Sequence, residues 1–403
     1  MMNIVQLNCT YGNKDSTGRN VLEFHRHLLE CGHESYVFAS VIHEDEIDAS
    51  VKVFSSGLDK KIHSLGSRVF GRQGFFSYFS TRKLIEHLKS ISPDVVLLHV
   101  LHSNCVNFPL LFKYLSVNNV AVVLVLHDCW YYTGHCCHYT EVGCNKWKEH
   151  CGSCTQIHQW NKSWFFDHSK SLLEQKSEWY SQLSKLAVVG VSDWITNEAR
   201  QSILKNAHVI KRIYNWIDLE TFKPQNTDEL RKQLGILPTE KVLLGVATAW
   251  NDRKGLTEMQ MAAKVPNTKV ILVGGVPEGM EQPNNMICVG RIKSAEKLAQ
   301  YYSLADVFLN PSVQETFGKT TAEALSCGTP VVVYNTTACP ELVGKGCGEV
   351  VKIGDRCAFI KRVEYILEHP EFFENGREWA RNTFDMESNM QDYIKMMSEL
   401  INS

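Results

Sequence analysis

The chain has 403 residues, which is too long for one ordinary core and suits two domains of about 200 residues each. Its 44% hydrophobic and 21% charged residues are ordinary for a folded protein, so composition argues against disorder. A formal net charge of -2 argues against general nucleic-acid binding, which normally needs a basic excess. The sequence opens without a basic stretch and long apolar run, and nowhere holds about 18 consecutive apolar residues. We therefore expect a cytoplasmic protein with neither a signal peptide nor a membrane-spanning helix.

Short apolar runs alternate with helical patterns through the first half of the chain. Strands are predicted at 4–7, 35–39, 51–54, 95–98, 120–126 and 187–191. Helical patterns lie between several of these runs, and the first has Val21, Phe24 and Leu28 on one face. Strands that alternate with helices imply parallel pairing, with helices covering both faces of the sheet.

The alternation breaks at 214–224 and then restarts. The second series has predicted strands at 242–246, 269–273, 286–289, 307–309 and 331–334. Two such series predict an α/β protein of two Rossmann-like, doubly wound domains. We assign the first domain to 1–207, with a cysteine-rich insertion at 129–158, and the second to 208–380. The last segment, 381–403, is helical in pattern and is expected to pack back across the join.

Two adjacent cations follow the strand predicted at 242–246. Arg253 and Lys254 lie in the segment WNDRKG, between that strand and a helix, and ligands of open α/β sheets bind at such strand ends. A forked guanidinium and a compact ammonium can share the charge of a diphosphate. The alternative is a solvated loop with two surface charges.

Two carboxylates follow in the segment QETFGKTTAEALSCGTPVV, at 314–332. Glu315 precedes a predicted helix, whose free N–H groups can receive an anion, and Glu323 lies two helical turns later, inside it. One carboxylate can therefore face a sugar and the other the ribose of a nucleotide.

These segments resemble the retaining glycosyltransferases of family four. The chain has the Glu-x7-Glu motif of that family (Glu315, Glu323), its Arg/Lys-Gly element and its Gly-Thr-Pro-Val turn at 328–331, in the same order. Trp216 stands where the usual linker has glycine. The resemblance covers nearly the whole chain and implies a GT-B fold, in which two domains face a central cleft.

The resemblance implies a hexosyltransferase-type enzyme that takes a sugar from a UDP-sugar or GDP-sugar, retains its configuration and needs no metal. Arg253 and Lys254 would bind the donor diphosphate. Glu315 would contact the transferred sugar, Glu323 would contact the ribose, and the backbone near 291–292 would receive the base. The implied donor contacts are Gly18, Arg253, Lys254, Arg291, Ile292, Glu315, Thr316, Phe317, Gly318, Lys319 and Glu323.

A histidine follows the predicted strand at 120–126 directly, again at a strand's carboxyl end. In the resembling family a histidine here lies beside the reacting sugar, so the resemblance makes His127 catalytic in an acceptor-binding first domain. A structural histidine is the alternative. Asp128 is expected to contact the acceptor, to orient His127 or to cap the next turn. The loop that holds Gly18 would face the donor phosphate or the acceptor, or would only begin a capped helix.

Six of the fourteen cysteines lie in the segment 129–154. The segment resembles an insertion in a bacterial surface-polysaccharide branch of the family, with enzymes like the colanic acid glycosyltransferases. Cys151 and Cys154 are spaced for one zinc ion, and Cys136 with Cys144 would complete a structural four-thiolate site. The alternative is a set of reduced free thiols, and the substitute ligands are Cys137, His138 and His150.

Residues 59–89 hold seven Lys or Arg against two Asp or Glu, interleaved with aromatic residues. Such a composition suits a surface that touches anionic lipid, where a lipid-linked acceptor would lie. Core aromatics beside a solvated charged face are the alternative. The composition therefore leaves open a peripheral contact with the inner face of the cell membrane.

The sequence as a whole predicts a transferase that adds sugar to a glycan or lipid-linked acceptor of bacterial surface polysaccharide, such as O-antigen, capsule or exopolysaccharide. A sugar-nucleotide epimerase, which can share such a two-domain fold, is the second hypothesis. A zinc-dependent nucleic-acid module, suggested by the cysteines, is the third, but the balanced charge counts against it. We expect no nucleic-acid partner.

Overall fold

The computed structural model describes residues 1–45 and 47–403, which form two compact units. The first unit comprises Met1–Ile213 and Met390–Ser403, and the second comprises Tyr214–Asn389. The sequence pattern placed the end of the first domain at 207. The first unit extends further because Val209–Arg212 adds a strand to its sheet. None of the helices in the described ranges is both long and apolar enough to cross a membrane.

The first unit is built on one parallel sheet flanked by helices. Its strands are β1 (Asn3–Tyr11), β2 (Glu34–Ile42), β3 (Val51–Val53), β4 (Val95–Leu98), β5 (Ala121–Leu126), β6 (Leu186–Gly190) and β7 (Val209–Arg212). Its helices are α1 (Ser16–Glu30), α2 (Gly57–Phe70), α3 (Tyr78–Ile91), α4 (Phe108–Val117), α5 (Ser169–Ser181) and α6 (Asp193–Arg200). The seven strands lie in the order β3-β2-β1-β4-β5-β6-β7.

The second unit repeats this architecture with six strands. They are β8 (Lys241–Ala249), β9 (Thr268–Gly275), β10 (Met286–Val289), β11 (Val307–Asn310), β12 (Val331–Asn335) and β13 (Gly348–Lys352). Its helices are α7 (Asp228–Gln233), α8 (Leu256–Ala262), α9 (Ala295–Leu304), α10 (Lys319–Ser326), α11 (Arg356–Glu368) and α12 (Gly376–Phe384), and α13 (Met386–Asn402) ends the chain. The strand order is β10-β9-β8-β11-β12-β13.

The apolar runs of the sequence form the centres of the two sheets. Every residue of β4 and β5 is buried, as expected where helices cover both faces of a parallel sheet. The order of each sheet reverses beside its first strand, where β1 neighbours β4 and β8 neighbours β11. The predicted α/β class with two doubly wound sheets is confirmed. Ligands bind at such switch points, so the loops after β4, β5, β8 and β11 are the places to examine.

Candidate functional site

The loops after β8 and β11 bring a lysine and a glutamate together at the switch point of the second sheet. Lys254 Nζ lies 2.5 Å from Glu315 Oε1, and the two side chains are 38% and 19% exposed. Burial acts to lower the pKa of Lys254, but the Glu315 carboxylate outweighs burial and raises that pKa. The lysine is therefore charged at neutral pH, and part of its surface stays open to a second anion.

The backbone brings this pair together. Gly255 follows the turn at 252–254 with a φ of 76°, and a Cβ there would lie 2.2 Å from Pro311 Cγ. Glu315 N–H donates to Thr337 Oγ1 at 2.8 Å, which ties the loop after β11 to the loop after β12. The contact between Lys254 and Glu315 is thus supported by backbone bonds and close packing, as well as by their opposite charges.

The second carboxylate of the Glu-x7-Glu motif is buried within α10. Glu323 is 4% exposed, and its Oε2 accepts from the hydroxyl of Tyr302, on α9, at 2.9 Å. A carboxylate has further lone pairs, so Glu323 can still accept from a second hydroxyl. The sequence analysis missed Tyr302 because the pattern of its helix signals only a core residue.

The predicted donor contacts around the start of α10 differ in how far their side chains and backbone are open to a ligand. Gly318 caps the helix with a φ of 96°, and Lys319 is its first residue. Thr316 is half-buried. Phe317 is buried against the rings of Tyr214 and Phe384, so its side chain belongs to the core and its backbone alone is available to a ligand.

The remaining predicted contacts are not all gathered at this point. Arg253 is half-buried beside Lys254. Arg291 and Ile292 follow β10, the edge strand of the sheet, which β9 separates from β8. Gly18 lies in the first unit, where its N–H donates to Asp15 Oδ1 at 2.8 Å and is thus engaged in capping α1.

Two histidines meet at the carboxyl ends of β4 and β5. His99 Nδ1 lies 3.0 Å from His127 Nε2, and the rings stack with centroids 5.3 Å apart. Burial, with a contribution from His127, lowers the pKa of His99 well below its ordinary value, so His99 is neutral. The sequence analysis missed His99, although it follows β4 as directly as His127 follows β5.

His102 follows β4, in the same loop as His99, and pairs with Asp128. His102 Nε2 lies 2.6 Å from Asp128 Oδ2, with side chains 14% and 16% exposed. Burial opposes both charges, but Cys137 and Asp128 together raise the pKa of His102 well above its ordinary value. In return His102 lowers the pKa of Asp128 from 3.8 to about 2, despite the opposing effect of burial. Asp128 also accepts from Trp130 N–H at 2.8 Å, so it both orients a histidine and caps the following turn.

A buried lysine holds the chain that follows Asp128. Lys176 Nζ donates to the carbonyl oxygens of Trp130, at 2.5 Å, and Thr133, at 2.8 Å. It also lies 3.4 Å from the centroid of the Trp130 ring, a cation–π contact. Burial lowers the pKa of Lys176 to about 7. Tyr180, one turn further along α5, donates to the Tyr131 carbonyl at 2.8 Å. The loop is thereby fixed beside His127.

The predicted zinc ligands lie near one another in this part of the chain. The Cys136 and Cys154 thiols contact each other. This contact is the main reason why the pKa of Cys136 is raised. It is also the main reason why the pKa of Cys154 is lowered, to about 7. Cys144 and Cys151 act on Cys136 through charge alone. All four are free cysteines.

A different set of described side chains has metal-ligating atoms that all lie within 4.8 Å of one another. This set is His102, Asp128 and Cys137. The Cys137 sulfur lies 3.8 and 3.7 Å from the two ring nitrogens of His102. The four-cysteine zinc site stays a prediction.

We expect one zinc ion per chain if Cys136, Cys144, Cys151 and Cys154 are its ligands, because four thiolates fill a structural zinc site. Cys151→Ser should release that ion, whereas Cys357→Ser, at an exposed free cysteine, should retain it. Elemental analysis of protein purified without a histidine tag measures both. Metal-free parent protein with full activity would refute the zinc site.

Two glycosyltransferase family models match the chain. The model "Glycosyltransferase Family 4" matches residues 17–221, and the model "Glycosyl transferases group 1" matches residues 226–384. Two curated relatives are an N-acetyl-alpha-D-glucosaminyl L-malate synthase of Bacillus anthracis, 26% identical over 206 residues, and a processive diacylglycerol alpha-glucosyltransferase of Acholeplasma laidlawii, 29% identical over 211 residues. The matches cover 49% and 47% of this chain, and 54% and 62% of the relatives. The chain thus spans less than two thirds of the length of either relative.

A solved structure with the same fold is that of HepE from Anabaena in complex with UDP-glucose. It is 17% identical, with a TM-score of 0.67, and the match covers 99% of this chain and 100% of that one. This likeness supports the GT-B fold implied by the sequence motifs.

Proposed function

Because the chain belongs to glycosyltransferase family 4, we propose that it transfers a hexosyl group from a UDP-sugar or GDP-sugar to a glycan or lipid-linked acceptor. The acceptor would be an intermediate of bacterial surface polysaccharide, and configuration at the anomeric carbon would be retained. Family membership lends no support to the two alternatives, a sugar-nucleotide epimerase and a zinc-dependent nucleic-acid module.

The pairing of Lys254 with Glu315 is the observation that carries this proposal. In the reaction, the bond from the anomeric carbon to the diphosphate oxygen breaks, and a bond from that carbon to an acceptor oxygen forms on the same face. The proton of the acceptor hydroxyl passes to the leaving diphosphate. Lys254, with Arg253, would stabilise the charge that develops on that diphosphate, and Glu315 would hold the transferred sugar. Glu323 would accept from a ribose hydroxyl.

The first unit would supply the acceptor side of the reaction. His127 would form a hydrogen bond with a sugar hydroxyl, and the contact of its Nε2 with the neutral His99 orients its ring. Asp128 would act through orientation, since His102 and Trp130 N–H already occupy its two oxygens. Two relatives named for malate and diacylglycerol show that acceptors vary widely among similar proteins. The lipid-linked acceptor would be met by peripheral contact with the inner face of the cell membrane.

A panel of UDP-, GDP- and ADP-sugars, scored by thermal shift, tests the donor. We expect one nucleotide to raise the melting temperature, because a ligand stabilises the state it binds. Mass spectrometry of a reaction with that sugar nucleotide and a lipid-linked acceptor should then show one added hexose, with nucleoside diphosphate released only when acceptor is present. An acceptor-independent change of the sugar itself would instead indicate epimerisation.

A further inference from the structure

Helix α2 presents an inverted amphipathic pattern. The residues that it buries are polar or glycine: Asp59, His63, Gly66 and Ser67. Leu58, Ile62 and Leu65 lie one helical turn apart on the opposite face, and each is at least half exposed. A surface helix of a folded protein normally buries its apolar face against the core. The apolar face of α2 is exposed instead, and no element of the described chain covers it.

The polar face of α2 is anchored, so the outward direction of the apolar face is fixed. Asp59 Oδ2 accepts from Ser80 N–H at 2.6 Å. His63 accepts from Gly74 N–H at 3.0 Å through Nε2, and its Nδ1 lies 2.8 Å from Ser77 Oγ. Turning the helix over would leave these buried polar groups without partners, which opposes any rotation that would bury the apolar side chains.

Two neighbouring segments extend the same apolar surface. Trp164 N–H donates to the Arg68 carbonyl at 2.7 Å, which places the segment 164–166 at the end of α2. Tyr78 and Phe79 begin α3, which α2 contacts through Asp59. Nine of the twenty large apolar side chains that are exposed in the described ranges lie in 58–70, 78–79 and 164–166. We call these three segments the α2 surface. Exposed apolar patches of this kind mark interaction sites.

The charges around the α2 surface select its partner. Lys61, Arg68, Arg72, Arg82 and Lys83 are exposed among the apolar side chains. The two acidic residues of 59–89 do not offset them, because Asp59 is buried and Glu86 pairs with Lys89 at 3.0 Å. Aromatic side chains surrounded by Lys and Arg match the boundary between headgroups and acyl chains of an anionic bilayer.

We propose that the α2 surface binds anionic membranes, with Phe79, Phe165 and the exposed leucines of α2 inserted among the lipids. This proposal rests on the proposed function only for the biological role of membrane binding. The binding itself needs no sugar nucleotide. It would hold the first unit at the leaflet that carries a lipid-linked acceptor.

Co-sedimentation of the full chain with vesicles tests the proposal. One set of vesicles is phosphatidylcholine alone, and the other contains about a third phosphatidylglycerol. We expect binding to the mixed vesicles to be at least about tenfold tighter, and to weaken with salt. Phe79→Ser with Phe165→Ser should weaken it by about tenfold or more. These side chains are 76% and 72% exposed, so their loss leaves the fold intact. Lys61→Gln with Arg68→Gln, at two exposed cations of α2, should weaken binding to the mixed vesicles alone.

Leu237→Ser with Phe372→Ser is the matched control. These side chains, 59% and 57% exposed in the second unit, should leave vesicle binding unchanged. Equal binding by the Phe79/Phe165 variant, or no binding by the parent, would overturn the proposal. Light scattering could instead show that the parent is a dimer and that the Phe79/Phe165 variant is a monomer. This result would also overturn the proposal, because a second copy of the chain would then cover the α2 surface. Transfer to a water-soluble acceptor should survive in this variant, so a failure of the proposed activity is seen separately.

Discussion

Glu315→Gln is expected to lower the rate of sugar transfer about 100-fold or more, while nucleoside diphosphate binding stays close to that of the parent. The substitution keeps the size of the side chain and its ability to accept a hydrogen bond, but removes the charge. Lys254 then loses its carboxylate partner at 2.5 Å but keeps its ammonium, which would still bind the diphosphate. The loss should therefore fall on kcat, because the proposed contact with the transferred sugar is the one that would be weakened.

Lys254→Ala should lower transfer by a similar factor but also weaken nucleoside diphosphate binding, because the ammonium would contact the diphosphate before and during the reaction. Isothermal titration with nucleoside diphosphate, alongside steady-state rates, separates the two variants. A donor site elsewhere in the chain would reveal itself by near-normal turnover in both.

The same sheet offers a control for a general loss of charge. Lys241 pairs with Asp306 at 3.0 Å, where β8 and β11 begin. The pair thus lies at the amino-terminal ends of these strands, and the proposed donor site lies at their carboxyl ends. Its side chain is 49% exposed, so the pair contributes little to stability. Lys241→Ala should leave both binding and turnover unchanged. If it reduced transfer as much as Lys254→Ala does, the position of the lysine at the switch point would not be what matters.

The sheets could be predicted from the sequence because their strands are apolar runs between helical patterns. The predicted bounds of 95–98 and 286–289 match β4 and β10. β7 and β13 escaped detection because few of their residues are buried, so their sequences carry no apolar run. Both are established by their pairing with a neighbouring strand, which local sequence does not record.

The positions of Lys254 and Glu315 at strand ends could be predicted for a similar reason. Lys254 and Glu315 each follow a central strand, and carboxyl ends of neighbouring parallel strands lie together. The partners that orient the site residues could not be found in this way. Tyr302, Lys176 and His102 act through contacts with residues far along the chain, and each looks locally like an ordinary helix or loop residue. Phe317 lies within the motif, but its side chain packs in the core, so a donor contact there would come from its backbone.

The pair of His102 and Asp128 gives a prediction of stability against pH. Asp128→Asn is expected to lower the free energy of unfolding by about 2–4 kcal/mol near pH 6, because it leaves a largely buried imidazolium without its carboxylate. The folded-state pKa of Asp128 is depressed from 3.8 to about 2, so its contribution is present above about pH 4 and is lost as the pH falls through 2. The pKa of His102 is raised, so its contribution is fully present below 6.5 and is lost as the pH rises through the higher folded-state value.

Denaturant unfolding of parent and variant at several pH values measures this difference, which should be largest between about pH 4 and 6.5 and should shrink toward pH 2. Asp48→Asn is the matched control in the same unit. Asp48 also contacts a histidine, His25, at 3.0 Å, but its carboxylate is 49% exposed, so the expected loss is below about 1 kcal/mol. A pH-independent loss in Asp128→Asn would contradict the prediction, because the charge pairing with His102 would then contribute nothing measurable to stability. Since asparagine can still accept from that N–H, the charge-dependent part of the loss isolates the pairing with His102.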